Sequence, residues 1–294
     1  MGGDGPAGVI YKIYHAKQRM LSYNLLLVAS VFLAASVSLI AIKLGAPYWL
    51  TVSLLSGLPV LLAFLALYFE MTASFELRLF LSNVVTAETR GLLGLGSKFL
   101  VLSILTNIGM NSDILVISVA LGQEAAANSA IPIKIGSVLL ALIGFAFMPL
   151  WSMHADSLAK GDHESVRKVS FLAGFVGSLV VLIAGLFLVY FVDDIVRIWM
   201  GANFPNQRDI LLAMTVLACI VAATAPYNMI LNAQGLAAVQ IIPWMAFVVI
   251  SLLAKFVFLS PGNAWFASAF SAAAYVVFVM PFMMHYAKRS LRIR

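Results

Sequence analysis

Two charged side chains sit in stretches that are otherwise almost wholly apolar: Asp113, in the run 97 to 121, and Lys134, in the run 127 to 150. A charge in the middle of a bilayer costs about 2.5–3.5 kcal/mol on insertion scales, so each one requires a partner or a function. The turn expected between the two runs is Gly122 to Ala126, with Asp113 eleven residues before Glu124 and Lys134 ten after it. At about 1.5 Å per residue this places them at nearly equal depth on adjacent antiparallel helices, where they can pair. The pair is either a structural one that neutralises itself or a charged site on a water-filled cavity, switched by an ion, a proton or a substrate.

Ser103, Asn107, Asn111 and Ser118 recur at helical spacing and mark a face turned from lipid, toward neighbouring helices or a lumen. Asp113 lies about 120° round the helix from Asn107, so stripe and carboxylate need not share a site. Asn228 and Asn232 repeat the spacing of four just after Pro226. His154 and His163, nine residues apart with no third ligand nearby, do not read as a metal site. Cys219 is the single cysteine and gives no disulfide framework. Lys255, near the end of its apolar run, is expected to snorkel to the interface.

The elements that position these residues follow from composition. Of 294 residues, 63% are apolar and 10% charged, too little polar surface to solvate a globule of this length. Apolar runs near 21–43, 48–69, 97–121, 127–150, 169–192, 209–232, 238–259 and 264–287 each reach the roughly 20 residues that cross a bilayer as a helix. They lack the alternation of barrel strands, so the expected fold is all-α, a polytopic membrane helix bundle of about eight spans.

The net charge of +6 follows topology and does not suggest nucleic acid. Lys12, Lys17, Arg19, Arg78, Arg90, Lys98, Lys160, Arg167, Lys168, Lys288, Arg289, Arg292 and Arg294 all fall on one side. The positive-inside rule makes that side, with both termini, cytoplasmic. Tyr48, Trp49, Trp199 and Trp265 then form an outer aromatic belt, with Trp151 at the inner boundary. The N-terminus lacks the short apolar core and cleavage site of a signal peptide.

Slid against itself by 217 residues, the chain aligns Ile13 with Ile230, Ala16 with Ala233, Ala29 with Ala246, Val31 with Val248 and Gly45 with Gly262. The same offset carries the first two spans onto the last two. Such a repeat is parallel, with a period of about six helices, and implies four further helices upstream. The expected organisation is an N-terminal segment 1–20, a helix pair 21–69 from a first lobe, a surface linker 70–96, a second six-helix lobe 97–287 and a basic tail 288–294. Trp151 to Lys168 reads as a cytoplasmic hairpin extension broken at Gly161, with Asp162 an N-cap.

The segment NIGMNSDILVISVALGQEAAANSAIPIKIGSVLLALIGFAFMPLWSMHADSLAKGDHESVRK, residues 107 to 168, resembles the start of the second lobe of Wzx-like polysaccharide and O-antigen flippases. These belong to the multidrug/oligosaccharidyl-lipid/polysaccharide superfamily. IYKIYHAKQRMLSYN and YNMILNAQGLAAVQ resemble the loops that enter the last helix pair of each lobe in that family. The family has two lobes around a central, commonly cationic lumen, and against that pattern this chain is expected to lack the first four helices.

The resemblance implies a transporter of the bacterial or archaeal cytoplasmic (inner) membrane. It would move polyprenyl-diphosphate-linked oligosaccharide between leaflets by alternating access, with possible proton or sodium coupling, no covalent chemistry and no cofactor. Asp113, Lys134, Asn107, Asn111, Asn228 and Asn232 are the substrate or lumen candidates, Lys134 meeting the diphosphate once Asp113 releases it. A cation-coupled multidrug-type exporter of the same superfamily is the alternative. A polyprenyl or glycan transferase would want aspartate-rich Mg²⁺ motifs or a large outer loop, and the sequence has neither.

Overall fold

The computed structural model describes residues 20–73, 87–201 and 207–291. Residues 74–86 of the expected surface linker 70–96 lie outside the described residues, and its remaining residues are helical. Among the described residues every element is helical. The chain divides into two compact units, residues 1–92 and 93–294.

Unit one contains α1 (Met20–Lys43) and α2 (Tyr48–Ala73), a hairpin closed at Gly45, whose φ of 74° lies in the left-handed region that glycine adopts without strain. Ser38 Oγ donates to the Thr51 carbonyl at 3.3 Å across the hairpin. Most other large side chains of both helices, among them Phe32, Leu39, Leu55 and Phe64, are exposed. Such a surface is stable in lipid and would aggregate in water.

Unit two begins with α3 (Ala87–Asn111), whose first residues precede the boundary between the units, and continues as α4 (Asp113–Leu121), α5 (Gln123–Ala159), α6 (His163–Met200), α7 (Gln207–Ala233), α8 (Ala237–Phe258), α9 (Phe266–Ala274), a π-turn (Tyr275–Val279) and α10 (Met280–Ser290). Six helices of the described residues are long and apolar enough to span a membrane, and α3 with α4 makes a seventh span bent by 49° at Ser112. The described apolar part of α1, Val28–Lys43, is shorter than a span. Among the described residues six or seven spans are therefore present, consistent with the polytopic helical bundle of about eight spans read from the sequence.

The π-turn has a local cause. Pro281 has no N–H and its ring clashes with the carbonyl four residues back, so the helix widens by a residue before it.

Helix α7 is the centre of unit two and packs against α5, α6, α9 and α10. Close approach depends on missing side chains, since lipid supplies no hydrophobic force between helices and tight packing must hold them. A Cβ on Gly185 of α6 would lie 2.2 Å from Thr215 Cγ2 and 2.9 Å from Thr215 Cβ, and one on Gly174 would lie 2.9 Å from the Ala223 carbonyl oxygen. Neither neighbour is the free end of a flexible side chain. Gly185→Ala is expected to destabilise the α6–α7 seam by about 1–3 kcal/mol, read as a lowered midpoint in denaturant titration of the solubilised protein.

Where α8 meets the π-turn, Trp244, Phe247 and Tyr275 form three mutual T-shaped contacts with ring centroids 5.4, 5.6 and 5.8 Å apart. Gly109 of α3 lies directly against the Phe247 ring.

The hairpin at Gly161 has the form expected. Asp162 caps α6 by accepting the Ser165 N–H at 3.0 Å, and Gly161 takes a φ of 76°. Asp162→Ala is expected to cost about 0.5–2 kcal/mol and to speed hydrogen exchange in the first turn of α6. His154 is buried, and its Nε2 lies 3.0 Å from Ser170 Oγ, an interhelical bond between α5 and α6.

Candidate functional site

The bend at Ser112 decides where Asp113 points. Ser112 keeps a helical φ of −78° but a flattened ψ of −13°, so α4 leaves at an angle and Asp113 opens its first turn. A helix N-terminus carries about half a positive charge, which favours a carboxylate there. Lys255 lies in the last turn of α8, where the opposite end of a helix dipole favours a cation.

The two meet. Lys255 Nζ donates to Asp113 Oδ1 at 2.6 Å and to Ser112 Oγ at 3.2 Å. Ser268 Oγ donates to Asp113 Oδ2 at 2.7 Å, and Ser271 Oγ lies 3.3 Å from both Asp113 Oδ1 and the Ala267 carbonyl. The Lys255 side chain is 0% exposed and that of Asp113 is 4% exposed. A buried pair offsets its desolvation only when geometry is close and the remaining polar groups are bonded; here the contact is close and both carboxylate oxygens have partners.

This corrects two expectations. Asp113 pairs with Lys255, not with Lys134, and Lys255 does not snorkel to the interface. The reasons are geometric. The turn after α4 is a single residue, Gly122, with a φ of 93°, which shifts the depth count on α5. The bend aims Asp113 into the bundle, while Lys134 lies on the exposed face of α5 between buried Ile133 and half-buried Ile135. Among the described residues Lys134 makes no ion pair.

Asn107 and Asn111 are also exposed. Asn107 Nδ2 donates to the Ser103 carbonyl at 2.9 Å and Asn111 Nδ2 to the Asn107 carbonyl at 3.2 Å, so each is partly satisfied by its own helix. Ser118 lies beyond the bend and does not extend their stripe. Asn228 and Asn232 are half-buried within unit two. Asn228 Oδ1 is buried without a hydrogen-bond partner, and Asn232 Oδ1 accepts from Gln240 Nε2 at 2.8 Å, tying α7 to α8.

The six candidates therefore do not form one site: Asp113 sits in a buried ionic centre, Asn107 and Asn111 are exposed on α3, Lys134 is exposed on α5, and Asn228 and Asn232 are half-buried on α7. Sequence reasoning missed Lys255, Ser112, Ser268 and Ser271. The signal was present in α8, where Gln240, Trp244, Phe247, Ser251 and Lys255 follow one another at intervals of three and four and are all buried. A lysine on that stripe is on the packed face.

Among the described residues no group of three His, Cys, Asp or Glu side chains could hold a metal ion. Comparison with protein families, with curated proteins and with solved structures found no match. What the residues themselves establish is an all-helical, multi-pass membrane protein with a fully buried ion pair at a broken helix.

Proposed function

We propose that this chain is a membrane transporter of the flippase type, moving a lipid-linked oligosaccharide precursor of a surface polysaccharide across the cytoplasmic membrane, with both termini in the cytoplasm. The observation that carries the reading is Lys134, exposed in the interior of an apolar helix with no counter-charge among the described residues. Lipid does not accommodate an ammonium group within an apolar span without cost, so the Lys134 ammonium belongs with water or a polar partner. Asn107 and Asn111, exposed on α3, add polar groups to the same unit.

An exposed ammonium of this kind suits a diphosphate headgroup, which a lysine binds as a point charge. The lipid tail would stay in the bilayer while the headgroup passes through the wet face. No bond is made or broken in this process. Because Asp113 is held by Lys255, Lys134 needs no release before it meets an anion.

The test is reconstitution of the full chain in vesicles, with translocation of a polyprenyl-diphosphate-linked sugar measured against that of organic cations. Faster movement of the lipid-linked sugar than in empty vesicles is the expected result. Movement of organic cations alone points to the multidrug-type exporter, and movement of neither overturns both.

A further inference from the structure

The ionic centre at the bend has a composition that its role as a salt bridge does not exhaust. Around the Lys255 ammonium stand the Asp113 carboxylate oxygen at 2.6 Å and the Ser112 hydroxyl at 3.2 Å. One turn back along the same buried face of α8, Ser251 Oγ is buried and has no hydrogen-bond partner. The carboxylate is anchored from behind by Ser268 and Ser271 of α9, which fix it without neutralising it. An ionised carboxylate and hydroxyl oxygens are hard donors, the set that suits hard cations such as alkali metals. An ammonium on a four-carbon arm is a compact point charge and meets the same demand.

We propose that the Asp113 and Ser112 oxygens form a monovalent-cation site whose cation the chain carries itself, as the Lys255 ammonium, and that removing this side chain makes the bundle bind a free alkali cation in its place. The inference does not rest on the transport reading. Truncating Lys255 to alanine leaves a buried carboxylate with no counter-charge and opens the space that the four methylenes filled, with the unpartnered Ser251 hydroxyl one helical turn back. A tethered ammonium cannot dissociate, so the natural chain keeps the centre occupied whatever the surrounding salt.

The test is thermal melting of the full chain in lipid nanodiscs, in NaCl, KCl or N-methyl-D-glucamine chloride at equal ionic strength. The natural chain is expected to melt at the same temperature in all three. Lys255→Ala is expected to melt low in N-methyl-D-glucamine and to gain on the order of 5–10 °C at Na⁺ or K⁺ about a hundredfold above the dissociation constant. The double variant D113N/K255A is expected to lose the response.

Equal melting of Lys255→Ala in all three salts overturns the proposal, as does a cation response that survives in D113N/K255A. Rescue of Lys255→Ala by acid alone, with no alkali-cation effect, also overturns it, because a proton then neutralises the carboxylate. Should Lys255→Ala fold in no salt, Lys255→Gln is measured in the same way. A cation response in the glutamine variant supports the site, and its absence, or failure of that variant to fold in every salt, overturns it.

Discussion

Asp113→Ala is expected to lower the stability of unit two by about 3–5 kcal/mol, the range for removing one member of a buried ion pair. The effect comes mainly from what remains. Lys255 is left fully enclosed, with Ser112 Oγ its one remaining hydrogen-bond partner, and Ser268 loses its acceptor. Denaturant titration of the solubilised chain, followed by tryptophan fluorescence, measures the loss. The paired replacement Asp113→Leu with Lys255→Met distinguishes this from simple packing. Replacing a buried pair by apolar residues of similar volume is often neutral or stabilising by about 1–4 kcal/mol, so the double variant is expected to recover most of the stability. A double variant as unstable as the single one would show that shape, and not charge, holds α4 against α8 and α9.

The second large effect concerns Lys134 and transport. If the ammonium receives a diphosphate, Lys134→Ala removes a charged hydrogen bond of about 1.5–3 kcal/mol, a ten- to hundredfold loss in the vesicle assay. Folding is expected to be unaffected, because Lys134 is exposed and makes no ion pair among the described residues. Lys134→Arg, which keeps the charge, is expected to retain most of the activity. Equal transport by the natural chain and the alanine variant would remove Lys134 from the substrate path.

The bundle was legible in the sequence because lipid imposes length and apolarity directly on each segment. Six of the apolar runs correspond to helices that pass as spans, and the punctuation by Gly161 and Asp162 falls where the hairpin turns. The ionic centre was legible only in part. Residue spacing gives depth along an axis, and on depth alone Asp113 and Lys134 are matched. Direction round the axis decides who meets whom, and here it is set by a bend at Ser112 that nothing in the local sequence announces: there is no proline at the break, and Ser112 makes no side-chain cap. The partner, Lys255, lies 142 residues away in sequence. Its position on the Gln240–Trp244–Phe247–Ser251 stripe was the available clue, outweighed by its place in the last turn of a span, where lysines commonly reach for water.

The two longest helices carry a mechanical consequence. α5 has 37 residues and α6 has 38, each about 55 Å at 1.5 Å per residue, against a hydrocarbon layer of about 30 Å. Part of the surplus lies at the far ends of the helices; from Trp151 to Lys160 the rod extends about 14 Å, and the Gly161 tip, with Asp162 and the His154–Ser170 bond near it, works as a lever arm. A rocking of unit two by about 10° would sweep that tip through roughly 2 Å. A spin label at Lys160, exposed at the end of the arm, turns a rotation too small to see in the membrane into a distance that can be measured.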